Sequence, residues 1–347
     1  NRACGGLLPG EFTTAGTKLM AELATNASTR AEQWRDDEQP AIRQAVAEFL
    51  GVGTNNIALV PNFSWAMNGI VHSLRGDEKV LMYTADYPSL TEPFKINGFD
   101  ITWINDIGGF TIPMEELQNK LLSEKIEVLA ISHVQWLSGF KIDLQVLGSF
   151  CRKHDIWLII DATQSMGAIA INPIQLDVDV LISSNYKWMN AGFGTGVMYM
   201  SDEFFEAYTP KVGGNNSYGM IDGAMKYTPS VRSFEPGHPN MYGFTILQHA
   251  IEHKLAMGVG VIETHNSKLT QMLLDGIQGL NVSLIGEAST THRGSMVFLH
   301  DTDGRLLQFI KSNGVLVSGR MGHVRISMHY YNTEADIMAL VDVLKKV

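Results

Sequence analysis

A lysine near the middle of the chain follows directly on an apolar run and could act as a nucleophile. Val178–Ser183 is predicted as a buried strand, and Lys187 comes soon after it, between Tyr186 and Trp188. Desolvation in such a place lowers the pKa of an amine and makes it a usable nucleophile. A solvated loop lysine is the alternative, and for a lysine taken at random it is far more common. The flanking aromatic rings and the glycine-rich turn that follows favour the buried amine.

A carboxylate and an anion site are indicated at the ends of two other strands. Asp161 follows the apolar run Trp157–Ile160, with Gln164 in the same turn. Ser64 follows the strand Asn56–Val60 and begins a helix, whose free backbone amides can bind an anion together with the hydroxyl. Simpler functions exist for both residues. Asp161 could cap a following helix, and Ser64 could be an N-cap alone.

Aromatic residues follow two further strands. Tyr87 comes after Lys79–Thr84 and could stack on a planar ligand, although packing is the usual function of an aromatic residue there. Trp136 comes after Val128–Val134. Ligands of an open parallel sheet bind beyond the carboxyl ends of its strands, so we expect the amine, carboxylate, anion site and aromatic plate to meet. Pyridoxal phosphate needs that set: a lysine for its aldehyde, a carboxylate for its pyridine nitrogen, an anion site and a ring cover.

The elements that must position these groups alternate between strands and helices. Helical patterns at Ser64–Leu74, Pro113–Leu122 and Leu144–His154 separate the apolar runs, and a further strand is predicted at Gly196–Met200. Short buried runs between helices are typical of βαβ units. We therefore predict an α/β fold with a large domain built on a mainly parallel sheet.

The last third of the chain has a different pattern. A long helical stretch runs from Phe244 to about Leu274, and after it come a strand (Ser295–His300), a helix (Gly304–Asn313), a strand (His323–Ser327) and a helix from Thr333. This order predicts a smaller α+β C-terminal domain. We expect an N-terminal arm over residues 1–15 associated with the small domain, a large domain over 16–250 and the small domain over 251–347.

Composition narrows the function classes. The chain has 347 residues, 45% of them apolar, and a net charge of −10, which describes a folded protein and argues against a nucleic-acid partner. No apolar stretch approaches a membrane span, so no membrane partner is expected. Cys4 and Cys151 make no disulfide framework, which fits a reducing, cytoplasmic location. His249 and His253 stand four apart on a helix without a third ligand, so we predict no metal site.

Two long segments resemble the core of the class V aminotransferases, a family that includes cysteine desulfurases, isopenicillin N epimerase-like proteins and kynureninase. They read IIDATQSMGAIAI and DVLISSNYKWMNAGFGTGVMYM, and VPNFSWAMNGI, SFEPGHPN and VRISMHYYNTEADI agree with them. The resemblance implies a fold-type-I pyridoxal-phosphate transferase, with a seven-stranded type of sheet in the large domain. It also implies a homodimer whose active site is shared between the subunits.

The resemblance implies a role for each matching residue. Lys187 would hold pyridoxal phosphate as a Schiff base, Asp161 would pair with the pyridine nitrogen, and Gln164 would approach the phenolic oxygen. The remaining cofactor contacts would be Tyr87 on the ring, with Phe63 (through its backbone), Ser64, Ser184 and Tyr186 on the phosphate, and His238 from the partner subunit. The substrate contacts would be Arg325 on the α-carboxylate, Arg320 at the mouth and Trp136 in the pocket.

One departure from the family bears on the reaction. Cysteine desulfurases carry a nucleophilic cysteine just before the substrate-binding arginine, and the stretch from Val317 to Arg325 has none. Cys151 falls in a predicted helix behind the sheet, where a buried, inert thiol is expected, and Cys4 falls in the arm. A desulfurase is therefore disfavoured.

The expected function is an aminotransferase-like reaction on a small amino acid. The substrate would form a Schiff base with the cofactor, and the released Lys187 would act as general base at Cα. An epimerase or a C–S or C–C lyase of the same family is the alternative. A catalytically silent pyridoxal-phosphate scaffold and a nucleotide-binding α/β protein are two further hypotheses.

Overall fold

The computed structural model of the chain describes residues 4–347, and strands and helices alternate through its middle. The strands are β1 (Ile57–Val60), β2 (Lys79–Tyr83), β3 (Asp100–Ile104), β4 (Val128–Ser132), β5 (Trp157–Asp161), β6 (Val180–Ser184), β7 (Gly196–Met200), β8 (Tyr218–Ile221), β9 (Ala224–Tyr227), β10 (Met296–His300), β11 (Ser318–Arg320) and β12 (His323–Ser327). The helices are α1 (Gly10–Thr25), α2 (Ala27–Gln33), α3 (Gln39–Leu50), α4 (Phe63–Ser73), α5 (Pro88–Ile96), α6 (Met114–Ser123), α7 (Leu144–Lys153), α8 (Asp202–Ala207), α9 (Met241–Met257), α10 (Val259–Gly276), α11 (Arg305–Ser312) and α12 (Glu334–Leu344).

A seven-stranded sheet forms the centre of the fold, in the order β1-β7-β6-β5-β4-β2-β3. The strands from β6 to β3 in this order pair in parallel, and β7 is antiparallel to both of its neighbours. The predicted α/β class and mainly parallel sheet are therefore confirmed. The strand β3 was not predicted. It lies at the sheet edge and is only partly buried, so its residues do not form the continuous apolar run that marks the inner strands.

Both faces of the sheet are covered by apolar layers, which explains why the inner strands have continuous apolar sequences. Successive residues of β2 and β4 enter opposite layers: Leu81 and Leu129 belong to one core cluster, and Val80 and Val128 to the other. α1, α3 and α9 pack together on one side. A strand that is buried on both faces is apolar at nearly every position. It can therefore be recognised in the sequence as a short continuous apolar run.

The C-terminal part has its own antiparallel sheet, in the order β10-β12-β11, and its own core cluster with α10 and α12. The long helix predicted from Phe244 is wrong in one respect, because it is interrupted at Gly258. That glycine has a φ of 82°, which ends α9, and α10 begins at the next residue. Among residues 4–347 no helix has both the length and the apolar character needed to cross a bilayer.

The carboxyl ends of β1, β2, β4, β5 and β6 meet at one edge of the large sheet, where β7 begins. Asp161 is in register with Ser132 of β4, and Ser184 with Gly196 of β7. A Cβ on Gly196 would lie 2.9 Å from the Ser183 carbonyl oxygen and 3.2 Å from the Cα of Asn62. Only glycine allows this close approach. The approach brings the end of β6 against the start of α4.

Candidate active site

A cavity of 130 Å³ lies at this edge of the sheet. Its lining includes most of the residues predicted to contact the cofactor, namely Phe63, Ser64, Tyr87, Asp161, Gln164, Ser184, Tyr186 and Lys187, together with Trp136, which was predicted to line the substrate pocket. Arg320, Arg325 and His238 are not part of that lining. Groups that follow different strands therefore share one cavity, although Phe63 and Lys187 are 124 residues apart in the sequence.

Lys187 supplies a buried amine to this cavity. The residue is 6% exposed, and its Nζ lies 5.6 Å from the ring centroids of Tyr87 and Tyr186. In the part of the chain that the structure describes, this nitrogen has no hydrogen bond and no ion pair. Burial lowers the pKa of Lys187 to about 8, although the nearby Asp161 carboxylate acts in the opposite direction. A larger fraction of the amine is therefore neutral near pH 7 than for a solvated lysine.

Asp161 ends β5 and supplies a buried carboxylate. It is 5% exposed, and its Oδ1 accepts a hydrogen bond of 2.7 Å from the backbone amide of Thr163. Burial raises the pKa of Asp161 to about 6, while the hydrogen bonds from Thr163 lower it. Residues 162–169 form turns and no helix, so the alternative that Asp161 caps a helix is wrong. The hydroxyl of Thr163 accepts the backbone amide of Ser184, which joins this turn to β6.

Hydroxyl groups gather at the start of α4. Asn62 is the N-cap, because its side chain accepts the backbone amide of Trp65 at 2.9 Å. Ser64 is therefore not the cap, and its hydroxyl donates to the hydroxyl of Ser89 at 2.8 Å. The backbone amide of Phe63 donates to Oγ of Ser184 at 2.9 Å. A helix N-terminus surrounded by three serine hydroxyls has the chemistry of a phosphate site.

An aromatic wall closes one side of the cavity. The rings of Tyr87 and Trp136 meet edge to face at 5.4 Å, and Nε1 of Trp136 donates to the carbonyl oxygen of Ala85. On another side, Nε1 of Trp188 donates to Oε1 of Gln164 at 2.9 Å, which orients the Gln164 amide.

Asp86 is a site residue that the sequence reasoning missed. It is 5% exposed and accepts the backbone amides of Tyr87 and Ser132 together with the Ser132 hydroxyl and the Gln135 amide. Burial raises the pKa of this carboxyl group. Asp86 therefore positions Tyr87 and the end of β4. A signal was present, because Asp86 follows β2 much as Asp161 ends β5.

Two arginines of the small sheet reach the mouth of the cavity. Arg325, on β12, is 2% exposed and donates through Nη1 to the carbonyl oxygen of Trp136 at 3.4 Å. Nη2 of Arg325 and Nη2 of Arg320 each lie 2.7 Å from Sγ of Cys4. Neither guanidinium forms an ion pair with a carboxylate among residues 4–347. Cys4 was expected in the N-terminal arm, and its position between the arginines was not predicted.

His238 lies elsewhere. It lines a separate cavity of 160 Å³ with Gln39, Glu235 and Asn240, and its Nδ1 is 3.5 Å from Nη1 of Arg35. The structure therefore does not bring His238 to Lys187 of its own chain, which is compatible with the expectation that it serves a partner's site.

The family model of the class V aminotransferases matches residues 17–340. The chain belongs to this family. It is 24% identical to a probable cysteine desulfurase of Pyrococcus abyssi, over 92% of this chain and 85% of the relative. It is 22% identical to the uncharacterized aminotransferase YcbU of Bacillus subtilis, over 90% of this chain and 85% of that one. The resemblance inferred from the sequence is thus confirmed, and the hypothesis of a nucleotide-binding protein is wrong.

Solved structures agree with the fold of this class V enzyme. A mutant of C-DES with glycine covalently linked to its PLP cofactor superposes with a TM-score of 0.89 at 19% identity, over 99% of this chain and 95% of that one. A complex of the cystine C–S lyase C-DES with its reaction product cysteine persulfide gives a TM-score of 0.89 at 20% identity, over 99% and 96%. The fold-type-I architecture is therefore confirmed.

Pyridoxal phosphate is the cofactor of this class V enzyme, and the residues of the cavity fit it. The Lys187 amine has no partner of its own within the described chain, Asp161 is a buried carboxylate, and the serine hydroxyls surround a helix N-terminus. When bound, the cofactor supplies a ring that withdraws electrons from the substrate's amino group. Lys187 would supply the amine that holds it, Asp161 the negative charge for its ring nitrogen, and the serine hydroxyls at the start of α4 the phosphate site.

Proposed function

We propose that this class V enzyme acts on a small α-amino acid and transfers its amino group, as an aminotransferase does. The observation that supports this most is the placement of a buried amine and of two guanidiniums without carboxylate partners around one cavity. Arg325 donates to the carbonyl oxygen of Trp136, which lines the Lys187 cavity, so both ends of a small amino acid can be held at once.

The residues divide the work between binding and proton transfer. Arg325 binds the α-carboxylate, and the planar guanidinium suits a carboxylate because it can donate two parallel hydrogen bonds. Lys187, once its amine is free, takes the Cα proton as general base, and its lowered pKa suits this function near neutral pH. Asp161 keeps a negative charge beside the ring nitrogen.

A lyase of the same family is the second candidate, favoured by the name of the cystine C–S lyase C-DES. An epimerase is a further alternative. The name of the Pyrococcus relative points to a cysteine desulfurase. A desulfurase remains disfavoured. Cys151 is fully buried in α7, where burial raises the pKa of its thiol to about 12. β11 and β12 are joined by the short turn Met321–Gly322 and carry no cysteine. Cys4 contacts the carboxylate-binding arginines, so it lies where the substrate's carboxylate binds and not at its side chain.

The test is a screen of amino acids against the holoenzyme, following the cofactor absorbance and then the products. Transfer predicts a keto acid and an aminated cofactor in a single turnover. Ammonia with a keto acid, or loss of a side-chain fragment, would identify a lyase, and inversion at Cα an epimerase. A spectrum that no amino acid perturbs would support the silent scaffold and contradict an enzyme of this kind.

Replacing Arg325 with glutamine is expected to raise KM for the amino acid about 10- to 100-fold, because a charge-assisted hydrogen bond contributes about 1.5–3 kcal/mol. The KM of an amine that lacks a carboxylate should change little. Arg293 provides a matched control, since it is 3% exposed and donates to the backbone carbonyls of Ile285 and Glu287. Arg293→Gln should lower thermal stability without this selective effect. An equal change of KM for both substrates in Arg325→Gln would argue against carboxylate binding.

We also propose that the enzyme is a homodimer in which His238 of one chain serves the cofactor site of the other. This is supported by the absence of His238 from the lining of its own chain's Lys187 cavity and by the exposed apolar hairpin β8–β9. Tyr218, Met220 and Met225 of that hairpin are 56%, 67% and 64% exposed. Sedimentation equilibrium should give twice the chain mass of 38.3 kDa, and the mass of one chain would contradict the proposal.

A further inference from the structure

Cys4 is held between two guanidiniums at the mouth of the cofactor cavity. Its Sγ lies 2.7 Å from Nη2 of Arg320 and 2.7 Å from Nη2 of Arg325, so the sulfur accepts hydrogen bonds from both. Cys4 itself is only partly buried, and small molecules can reach it. Cysteine sulfur that small molecules can reach is oxidised by peroxides, and two guanidiniums stabilise the anionic oxygens of the product.

The surroundings of Cys4 also indicate that an anion belongs there. Arg325 is 2% exposed, and neither Arg325 nor Arg320 has a carboxylate partner between residues 4 and 347. The ionisable groups whose charge acts on Arg325 include Cys4, Arg320 and Tyr186. Lys187, 6% exposed and without a hydrogen bond in the described chain, adds a further cation; the Asp161 carboxylate acts on it most, followed by Arg325, Cys4 and Arg320. Within residues 4–347, Arg325 donates to the Ser318 hydroxyl, the Trp136 carbonyl oxygen and the Cys4 sulfur. A nearly buried guanidinium without a carboxylate partner indicates a site for an anionic ligand.

The position of the sulfur is set by the N-terminal arm, which is anchored on both sides of the cavity mouth. The Gly6 amide donates to the Tyr186 carbonyl oxygen at 2.8 Å, and the Asn190 side chain donates to the Leu7 carbonyl oxygen at 2.8 Å. The Leu7 amide donates to the hydroxyl of Tyr331 at 3.2 Å. A Cβ on Gly6 would lie 2.1 Å from the Lys187 carbonyl oxygen, so this segment passes closely over the lysine turn.

We propose that Cys4 is an oxidation site whose product blocks substrate binding. The oxidant is hydrogen peroxide. The Cys4 sulfur attacks one peroxide oxygen, an S–O bond forms as the O–O bond breaks, and the leaving hydroxide takes the remaining proton to become water. The sulfur is oxidised by two electrons to a sulfenate and the peroxide is reduced by two. A second peroxide converts the sulfenate to a sulfinate in the same way.

The sulfinate resembles a bound carboxylate, and this resemblance gives the modification its effect. It carries one negative charge on two oxygens, which is the group that a pair of guanidiniums binds best. Oxidised Cys4 would therefore occupy the place of the substrate's α-carboxylate, a consequence that rests on the function proposed for Arg325. A thiol reductant returns the sulfenate to cysteine but leaves the sulfinate in place.

The experiment exposes the holoenzyme to increasing hydrogen peroxide and measures three quantities: the oxygen added to each cysteine by peptide mass spectrometry, the rate with an amino acid, and the rate with an amine that lacks a carboxylate. Cys4 should gain oxygen at least about tenfold faster than Cys151, which is fully buried and serves as an internal control. The amino-acid rate should fall in proportion to oxidised Cys4, with a smaller loss for the amine. The absorbance of the cofactor bound to Lys187 should persist.

Cys4→Ala is the comparison variant, and each protein is compared with its own untreated rate. The variant should lose less than half as much amino-acid activity at a peroxide dose that inactivates the wild-type protein. Equal oxidation of Cys4 and Cys151, oxidised Cys4 with full activity, or equal inactivation of Cys4→Ala would each overturn the proposal. Failure of the proposed function is recognised separately, because Arg325→Gln would then leave KM unchanged whatever Cys4 does.

Discussion

Replacing Lys187 with alanine is expected to lower amino-acid turnover at least about 10³-fold, because the substitution removes the amine that we propose both holds the cofactor and acts as general base. No other amine lines the cavity within the described chain. The measurement is the single-turnover rate of the purified variant reconstituted with pyridoxal phosphate. Borohydride should fix the cofactor covalently to the wild-type protein and not to Lys187→Ala.

Lys254 offers a matched control for this substitution. It is also nearly fully buried, at 1% exposed, its Nζ lies 4.3 Å from the ring centroid of Tyr330, and that nitrogen has no hydrogen-bond partner. Burial lowers the pKa of Lys254 to about 7. It does not line the Lys187 cavity, so Lys254→Met should keep turnover within about threefold of wild type. A full loss of activity in Lys254→Met, or activity retained in Lys187→Ala, would contradict the role of Lys187.

The pH dependence of cofactor uptake provides a second measurement on the same residue. Only the neutral amine attacks the cofactor's aldehyde, and burial lowers the pKa of Lys187 to about 8 from the ordinary 10.5. The uptake rate of the wild-type apoprotein should therefore rise with pH and level off above about pH 8. A rate that keeps rising to pH 10 would mean that the amine is not desolvated.

The second large effect is expected from Asp161→Asn, which should lower turnover about 10²- to 10³-fold. The asparagine keeps the size and the hydrogen bond to the Thr163 amide but loses the charge that Asp161 is expected to place beside the pyridine nitrogen. The measurement is the rate of Cα proton exchange with solvent, followed by NMR on the substrate. Binding of the substrate should change much less, because the arginine proposed to bind its carboxylate, Arg325, lies on the small sheet.

Asp179 is a close control for Asp161. It is 4% exposed, accepts the Leu158 amide at 2.8 Å, and lies at the opposite end of the same strands, just before β6. Burial raises the pKa of each carboxyl group to about 6. For Asp161 and for Asp179 the pKa in the folded state is above the unfolded value of 3.8. Ionisation of each carboxyl group therefore lowers the free energy of unfolding of the apoprotein. This loss begins as the pH rises above about 4 and is complete above about 6. Both asparagine variants should thus unfold at higher temperature than wild type at pH 7, with the gap closing below pH 4. Only Asp161→Asn should lose activity, and a comparable loss in Asp179→Asn would assign the effect to stability.

The strand ends were the part of the site that could be predicted from the sequence. Lys187, Asp161 and Tyr87 each follow a run of apolar residues, and a sheet with both faces buried requires such runs. Once the strands are parallel, their carboxyl ends meet at one edge, so the side chains that follow them must also meet. Asp86 follows β2 in the same way, and for the same reason its carboxylate meets Ser132 at the end of β4.

Other features had no local signal. β3 lies half exposed at the sheet edge, and its sequence DITWI does not form an apolar run. The exposed hairpin β8–β9 has no buried face to give its residues a pattern. Ser64 is a reasonable cap by residue type, yet Asn62 starts the helix earlier and leaves the Ser64 hydroxyl to Ser89.

The class of the fold and the cofactor could be inferred from the sequence alone, and the assignment of Lys187 to that cofactor stays a prediction. These follow from periods of a few residues and from side chains adjacent to them, which are local properties of the chain. Two positions become visible only in the folded chain: Cys4 lies against Arg325, 321 residues away, and His238 lies outside its own chain's cavity lining. These positions depend on how the N-terminal arm and the loop before α9 lie over surfaces that other segments form. The residue pattern within the arm or the loop does not predict how they lie.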